Sequence, residues 1–252
     1  MRSMNLRVLS YNIHRAIGLD RRFRPQRIAT ILAHHNADIV LLQEVDAGVP
    51  RSRGLDLARE LADSLGYPHH ALGLNVKLRK GMYGNATLSR YPIVNERNID
   101  LTIESGRARG CLYTDIALPA TNMGNAEIAV FNLHLGLSFK ERPRQIGILV
   151  RSDEFRALGL QDSCLVGGDL NDWQTRLAPI FTEILGFECA TNHGWGYQKS
   201  FLTYPSFSPS GGLDKIFCRG GLEIVDGRRC RLRVSKVASD HLAVIADIKV
   251  KM

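Results

Sequence analysis

The chain has 252 residues, of which 44% are hydrophobic and 23% charged, and its net charge is +8. This is an ordinary soluble globular composition, and the chain is long enough to bury a substantial core. No uncharged run approaches the roughly 18 residues of a membrane span, and the first residues alternate as a strand rather than as a secretion signal, so neither a membrane-spanning nor a secreted protein is expected.

The positive charge favours an anionic partner, such as nucleic acid, a phosphorylated metabolite or a lipid headgroup surface. The alternative is a basic protein that binds no polyanion. The five cysteines are scattered without metal-binding spacing, which is typical of buried thiols in a reducing compartment. We therefore expect a cytoplasmic protein without a transmembrane segment, and a monomer.

The first part of the chain alternates strands and helices. Residues 6–12 form a predicted strand, and an amphipathic helix follows Pro25. Residues 38–44 form a second, nearly continuous apolar strand that ends in an acid, of the kind that helices cover on at least one face. Leucines at helical spacing from Leu57 predict a second helix, which Gly66 ends.

From residue 67 to 133 the pattern changes to shorter strands with turns, among them residues 84–89, 110–118 and 127–133. Residues 141–158 return to a helical pattern. The remaining predicted elements are a strand ending at Gly168, a short helix over residues 177–185 and three closing strands. No repeat, linker or low-complexity segment interrupts the chain, which predicts one domain over residues 1–252, with helices covering packed sheets.

One stretch organises the sequence: Val166-Gly167-Gly168-Asp169-Leu170-Asn171-Asp172-Trp173. It continues an apolar strand into two glycines, where the backbone can adopt conformations that side chains forbid. On extended backbone the side chains of Asp169 and Asn171 point to the same side. The carboxylate can hold or deprotonate a water, and the carboxamide can donate to an oxygen that gains negative charge. The alternative is a loop in which both residues only cap the next helix.

Six further polar residues stand at or near the ends of apolar strands, where side chains can converge on one cleft. They are Asn12, Glu44, His134, Asp214, Asp240 and His241. Each alone has an ordinary explanation as a turn residue or a hydrogen-bonded structural histidine. Their order along the chain and the short motifs in which they stand together favour one shared site.

These motifs carry a resemblance that covers the chain from Tyr11 to Val244. They read Ser-Tyr-Asn-Ile-His, Leu-Leu-Gln-Glu-Val, Tyr-Gly-Asn-Ala-Thr-Leu-Ser-Arg-Tyr-Pro-Ile, Asn-Leu-His-Leu, Gly-Gly-Asp-Leu-Asn-Asp-Trp, Leu-Asp-Lys-Ile-Phe and Ser-Asp-His-Leu. The combination resembles the endonuclease/exonuclease/phosphatase superfamily, the DNase I-like metal-dependent phosphohydrolases. The implied fold is a four-layer α/β sandwich of two packed mixed β-sheets flanked by helices, with the site at one edge.

The resemblance implies a divalent cation on Glu44, with Asn12 and Asp240 close by or holding its waters. Carboxylate, carboxamide and water are hard oxygen ligands, so Mg²⁺ or Mn²⁺ is expected rather than zinc. Such an ion would polarise a phosphoryl oxygen and stabilise the leaving oxygen.

The resemblance also implies roles for the other polar residues. Asp169 would orient and activate the attacking water. His241, steered by Asp214, would contact the scissile phosphate or transfer a proton, because a carboxylate partner fixes the tautomer and raises the basicity of the ring. His134 and Asn171 would bind the non-bridging oxygens as charge builds on them.

Two positions are candidates for binding the substrate phosphate. Asn85 matches a recurrent superfamily position, against the alternative of a turn residue after Gly84. Arg107 and Arg109 lie two residues apart and would share a strand face, where a guanidinium could clamp phosphate with two hydrogen bonds. One clamp plus one solvated arginine is an equal alternative, and Arg109 is our choice because it lies nearer the strand.

Two residues depart from the superfamily pattern. His14 stands where several nuclease members carry a second acid beside the metal, and Lys215 stands where an aromatic residue is common. Both argue against transferring a DNA-repair mechanism unchanged.

Three functions follow as hypotheses. The first is a metal-dependent phosphodiesterase or phosphatase acting on a lipid headgroup or small metabolite. The second is a DNA endonuclease or exonuclease, for which the run Arg228-Arg229-Cys230-Arg231-Leu232-Arg233 would contact the phosphate backbone. The alternative for that run is an edge strand with Arg229, Arg231 and Arg233 on one solvated face.

The third hypothesis is a catalytically silent binding module, which the retained acids and histidine argue against.

Four aromatic residues of the second half of the chain either line a substrate cleft or anchor the core and loops. They are Trp173, Trp195, Tyr197 and Phe201.

Overall fold

The protein's structure, a computed structural model, describes residues 3–104, 106–119, 126–192 and 200–251. Twelve strands lie within these ranges. They are β1 (Ser3–Asn12), β2 (Ile39–Ala47), β3 (His69–Lys77), β4 (Met82–Ser89), β5 (Ile93–Asp100), β6 (Gly110–Ala117), β7 (Glu127–His134), β8 (Cys164–Asp169), β9 (Glu188–Cys189), β10 (Asp214–Arg219), β11 (Leu222–Arg229) and β12 (Val244–Lys251).

Five α-helices lie in the same ranges. They are α1 (Pro25–His35), α2 (Leu57–Leu65), α3 (Glu141–Arg151), α4 (Asp153–Arg156) and α5 (Ser235–Ala238). The strands form two six-stranded mixed sheets, ordered β11-β12-β1-β2-β4-β3 and β5-β6-β7-β8-β10-β9. None of the helices in the described parts of the chain is long and apolar enough to cross a membrane.

Three apolar clusters separate four layers. The first packs α1 and α2 against one sheet, as Ile28 and Leu42 illustrate. The second lies between the sheets and combines Leu41 of β2 with Ile216 of β10. The third packs the other sheet against α3, where Leu149 is fully buried. The predicted four-layer arrangement, two mixed sheets flanked by helices, is thereby confirmed.

Local signals define the helix ends. At the start of α2 the side chain of Asp56 accepts a hydrogen bond from the backbone N–H of Arg59, and at its end Gly66 adopts a left-handed conformation with φ 69°. The helix predicted over residues 141–158 is wrong in one respect: Ser152 becomes extended and caps a new helix through its hydroxyl, so α3 and α4 are separate.

Other expectations need adjustment. The helix predicted over residues 177–185 is a π-helical turn at Ile180–Ile184. Strand β11 is an edge strand, as one interpretation of the arginine run requires, but it ends at Arg229, so Arg231 and Arg233 lie beyond it. Strand β3 has no counterpart among the predicted strands, and four strands, β9 to β12, follow the π-helical turn where three are predicted.

Buried amides connect the two sheets. Asn132 of β7 donates to the backbone oxygens of Leu42 and Ala86 in the facing sheet, at 3.1 and 2.9 Å. Its own oxygen accepts from the side chain of Gln43 at 2.8 Å. These buried hydrogen bonds fix how the two sheets sit against each other.

The topology gathers the strand-end residues at one edge. Strands β1 and β2 run parallel, as do β7 and β8, so their carboxyl ends share an edge within each sheet. The antiparallel strands β10 and β12 begin where their neighbours end: Asp214 lies opposite Asp169, and Val244 lies opposite Ser10. The strand-end residues of the sequence therefore meet in space.

Candidate active site

Asp169 lies at the centre of the site and is 1% exposed. Its Oδ1 accepts a hydrogen bond from the backbone N–H of Asn171 at 2.9 Å, and its Oδ2 accepts one from the Asn12 side chain at 3.0 Å. The preceding residue, Gly168, has φ 140°, and a Cβ there would lie 2.0 Å from the carbonyl oxygen of Leu133. Only glycine lets the strand deliver the carboxylate at this point.

Two imidazoles flank this carboxylate. The Nε2 atoms of His134 and His241 lie 3.6 and 3.7 Å from Asp169 Oδ2. The other ring nitrogen of His241 lies 3.0 Å from Asp214 Oδ2, which also accepts a hydrogen bond from the Thr203 hydroxyl at 2.5 Å. We call Asp169, His134, His241 and Asp214 the Asp169 side of the site.

Burial and charge give the two rings opposite protonation states. Burial and the nearby guanidinium of Arg109 lower the pKa of His134 to about 3, so this ring is neutral at pH 7. Burial alone would also lower the pKa of His241, but the carboxylates of Asp214 and Asp169 outweigh it and raise this pKa to about 10. The site thus holds one neutral and one cationic imidazole beside one acid.

Glu44 lies on the other sheet, beside the end of β1. Asn12 pairs in register with Gln43, the residue before Glu44. A β-bulge between Leu42 and Val45 and a left-handed Glu44 (φ 55°) turn this side chain out of the regular alternation. Its Oε2 atom is buried and has no hydrogen-bond partner among the described residues.

A left-handed turn follows β1. His14, Arg15 and Ala16 have φ values of 45°, 59° and 56°, a conformation that costs energy for residues other than glycine. The backbone N–H of His14 donates to Asn12 Oδ1 at 3.0 Å, and Arg15 Nε lies 3.2 Å from Glu44 Oε2. We call Asn12, His14, Arg15, Glu44 and Asp240 the Glu44 side.

Ser239 fixes the loop that carries Asp240 and His241. Its hydroxyl donates to the backbone oxygen of Asn12 at 2.7 Å and accepts from the backbone N–H of His241 at 3.2 Å. The Asp240 carboxylate is partly exposed and lies 3.9 Å from the ring of His14. The ring of His14 is itself held by the carbonyl oxygen of Ile17 at 2.9 Å.

The Glu44 side fits a hard divalent cation. Glu44 contributes a buried carboxylate oxygen that has Arg15 Nε at 3.2 Å but no hydrogen-bond partner among the described residues, and the Asn12 and Asp240 oxygens belong to the same side. A second candidate group comprises Asp169, Asp214 and His241, whose ligand atoms lie within 4.8 Å of one another. In that group the bond between Asp214 and His241 already occupies two of the candidate atoms.

The two phosphate-binding candidates, Arg109 and Asn85, differ in how many of their donor groups are free to bind phosphate. Arg109 is 6% exposed, and its Nε has no hydrogen-bond partner among the described residues. Its charge acts on His134, whereas Arg107 is exposed to solvent. The amide nitrogen of Asn85 donates to the backbone oxygens of Gly110 and Asn132, both at 3.0 Å. Phosphate binding by Asn85 stays a prediction, and donation to phosphate would require one of these bonds to break.

Asn171 is partly committed in a similar way. Its amide nitrogen donates to the carbonyl oxygen of Leu135 at 2.9 Å, which uses one of its two hydrogens. Asn171 itself is left-handed, with φ 51°, and this conformation turns the chain sharply after Asp169. The second amide hydrogen is the one that would serve a substrate oxygen.

Sequence reasoning missed three contributors to the site: Arg15, Thr203 and Tyr204. The ring of Tyr204 lies 5.0 Å from that of His241 and meets the half-exposed Trp173 edge-on at 5.4 Å. The only signal in the sequence was the closeness of Arg15 to the Asn-Ile-His motif. Thr203 and Tyr204 stand in no recognisable pattern.

The remaining residues singled out in the sequence are the aromatic residues of the second half and Lys215. Phe201 is buried, while Trp195 and Tyr197 lie outside the described residues. Lys215 is 1% exposed, burial lowers the pKa of its amine, and the amine contacts the Ser200 hydroxyl. This lysine is part of the core of β10 rather than a surface residue.

Two packed six-stranded mixed sheets flanked by helices are a DNase I-like α/β fold. The chain belongs to the Endonuclease/Exonuclease/phosphatase family, whose model matches residues 9–241. It is 30% identical over 253 residues to the uncharacterised protein YbhP of Escherichia coli (strain K12), an alignment that covers 97% of this chain and 96% of YbhP.

Solved structures share the fold. An endonuclease/exonuclease/phosphatase from Beutenbergia cavernae DSM 12333 superposes with a TM-score of 0.77 at 22% identity, covering 98% of this chain and 72% of that one. The mannosyl-6-phosphatase Bt3783 of Bacteroides thetaiotaomicron VPI-5482 gives a TM-score of 0.69 at 19% identity, covering 96% of this chain and 99% of that one.

Proposed function

We propose that this protein is a Mg²⁺- or Mn²⁺-dependent phosphoesterase that hydrolyses a phosphate ester of a small metabolite or lipid headgroup by in-line attack of water. Family membership supports a hydrolase, and the likeness to a mannosyl-6-phosphatase agrees with a phosphate ester as substrate. Cytoplasmic location and a monomeric state stay predictions.

The observation that carries the proposal is the pair of imidazole nitrogens within 3.7 Å of Asp169 Oδ2, one ring neutral and one cationic at pH 7. Asp169 orients a water and accepts its proton. His241 neutralises the charge that builds on the phosphoryl group and supplies a proton to the leaving alcohol. His134, Asn171 and Arg109 donate to the non-bridging oxygens.

Glu44, Asn12 and Asp240 would hold the cation. When bound, the cation supplies Lewis-acid polarisation of the phosphoryl group. The hydrogen bond between Asn12 and Asp169 joins this group of ligands to the residue that orients the water. A cation held by Glu44 would thus be linked through Asn12 to Asp169 across the two sheets.

The test is hydrolysis of bis-p-nitrophenyl phosphate and p-nitrophenyl phosphate with Mg²⁺ or Mn²⁺, against the same enzyme in EDTA. We expect metal-dependent release, and the preferred ester tells diesterase from monoesterase. Asp169→Asn should lose turnover by about 10²- to 10⁴-fold. Asp153→Asn, at a carboxylate 86% exposed on α4, is the matched control and should behave as wild type.

Release that survives EDTA, or that persists in Asp169→Asn, would refute the proposed mechanism. No release from any ester, with the fold intact by circular dichroism, would favour the silent binding module.

A DNA nuclease is the second candidate, and the net charge of +8 is the observation in its favour. Against it, Arg228 is committed to Asp226 and Asp247, at 2.9 and 2.6 Å, and the Arg229 guanidinium donates to the carbonyl oxygen of Leu202. Product release from the chromogenic ester is measured with competing plasmid DNA or phospholipid vesicles. Competition by DNA alone, with nicking of the plasmid, would replace the first candidate by the second.

A further inference from the structure

The pairing of Arg15 with Glu44 differs from an ordinary ion pair. Their side chains are 24% and 21% exposed, and Nε and Oε2 lie 3.2 Å apart. Both atoms are nevertheless buried without a hydrogen-bond partner among the described residues, because the N–H does not point at the oxygen. Charge attraction is present, but no hydrogen bond joins these two atoms.

A second arginine–carboxylate pair on the same strand shows what a completed pair looks like. Arg51 meets Asp46 with two parallel bonds, from Nε to Oδ2 at 2.9 Å and from Nη2 to Oδ1 at 2.7 Å. This fork geometry is the strong form of the interaction. Arg51 and Asp46 therefore form a complete bidentate ion pair, whereas Arg15 and Glu44 do not.

The backbone under Arg15 is held in an unfavourable conformation. Three consecutive residues, His14 to Ala16, are left-handed, and none is glycine or asparagine. Hydrogen bonds from the backbone N–H of His14 to Asn12 and from the backbone N–H of Arg24 to the Ala16 carbonyl oxygen hold the turn. Strain of this kind persists where the surrounding structure enforces it, and here it places Arg15 beside Glu44.

We propose that Arg15 occupies the position of the cation on Glu44 and transfers to the substrate phosphate when a divalent cation binds. A divalent ion on Glu44 repels the guanidinium, and a phosphoryl dianion beside the ion offers it the two oxygens of a bidentate contact. Arg15 therefore lowers cation affinity in the free protein and raises it when a phosphate ligand is present. Cation and phosphate bind with positive coupling.

This inference rests on the proposed function, because it takes Glu44 to be the cation ligand. Arg15 would then select a substrate with a dianionic phosphate, as in a phosphomonoester. A diester, with a single negative charge, gives the displaced guanidinium a weaker partner.

The test is direct titration with Mn²⁺, with free Mn²⁺ followed by electron paramagnetic resonance, so that no turnover is needed. Wild type is compared with Arg15→Gln and with Arg15→Asn, because asparagine tolerates a left-handed backbone. Arg156→Gln, at an exposed arginine of α4, is the matched control for loss of one positive charge. Each is measured with and without phenylphosphonate, a dianion that the enzyme cannot hydrolyse.

Without phenylphosphonate we expect both Arg15 variants to bind Mn²⁺ roughly 5- to 150-fold more tightly than wild type, the usual range for coupled sites. Phenylphosphonate should tighten Mn²⁺ binding in wild type and much less in the variants. In a Glu44→Gln background, Arg15→Gln should change nothing further.

If wild type hydrolyses esters with Mn²⁺ while the Arg15 variants titrate like Arg156→Gln, the inference fails and the proposed function stands. If neither wild type nor the variants bind Mn²⁺, both fail.

Discussion

The two sides of the site are built differently. On the Asp169 side hydrogen bonds join the charged groups: Asp214 Oδ2 holds His241 and Asp169 accepts from two donors, although Asp214 Oδ1 has no hydrogen-bond partner among the described residues. On the Glu44 side the backbone is left-handed at His14, Arg15, Ala16 and Glu44, and the ion pair between Arg15 and Glu44 lacks a hydrogen bond. Hydrogen bonds between charged groups orient them in advance, whereas an ion pair without a hydrogen bond keeps bonding capacity for ligands.

The largest effect that separates the two sides is expected for His241→Gln. It removes the cation beside Asp169 and should lower kcat by about 10²- to 10⁴-fold. Mn²⁺ affinity should stay near the wild-type value, because the ligands on the Glu44 side are intact. His34→Gln, at an exposed histidine of α1, is the matched control. Loss of Mn²⁺ binding in His241→Gln would mean that the two sides are not separable.

The next largest effect on catalysis is expected for Arg109→Gln. Removing a buried guanidinium beside His134 should lower kcat/KM by about tenfold or more, since one charge-assisted contact to phosphate is lost. It should also raise the pKa of His134, because the nearby positive charge is gone. Arg107→Gln removes the same charge from an exposed position and should change neither quantity. Equal effects of the two variants in steady-state kinetics would contradict the assignment of Arg109.

Gly168→Ala tests how strictly the Asp169 side is positioned. The added Cβ meets the Leu133 carbonyl oxygen at 2.0 Å, so the strand must shift and both stability and turnover should fall. Gly186→Ala is the control for backbone strain alone, since φ is 71° there and no atom lies within 4 Å. We expect urea unfolding to show a loss of about 1 kcal/mol at Gly186 and more at Gly168. A Gly168→Ala protein with wild-type kcat would show that Asp169 tolerates displacement.

The pH dependence of stability in EDTA distinguishes the two imidazoles of the Asp169 side. The pKa of His241 is raised to about 10 by folding, so its stabilising contribution is complete below its ordinary pKa of about 6.5 and is lost as pH rises to 10. The pKa of His134 is lowered to about 3, so its contribution is lost as pH falls from about 6.5 to 3. Each slope is at most about 1.4 kcal/mol per pH unit.

The two slopes are assigned by substitution. Urea unfolding of His241→Gln should lack the alkaline slope, and that of His134→Gln should lack the acid slope. Wild-type slopes in both variants would mean that other groups control the titration.

Much of the Asp169 side was predictable from the sequence, because each of its residues stands where an apolar strand ends or begins. Strand direction then brings His134, Asp169 and Asp214 to one edge. Asp240 and His241 follow the same rule, since only Leu242 and Ala243 separate them from the start of β12. The motif resemblance supplied roles for these residues, and their geometry is consistent with those roles.

The Glu44 side was less predictable for a physical reason. The bulge at Glu44 and the left-handed turn at His14, Arg15 and Ala16 involve no glycine, so no local propensity signals them. The turn is held by the backbone N–H of Arg24, which donates to the Ala16 carbonyl oxygen, and the bulge lies where β2 pairs with β4. For the same reason the commitment of the Asn85 amide to backbone oxygens was invisible in the sequence, since its acceptors lie 25 and 47 residues away.

The amide bridge formed by Gln43 and Asn132 sets the alignment of the two sheets below residues that come from both of them. A slide of one sheet over the other by an ångström or two would separate Asn12 from Asp169 while leaving every strand and helix intact. Loss of activity during gentle denaturation would then precede loss of circular dichroism, and hydrolysis would serve as a sensitive reporter of sheet registry in this fold.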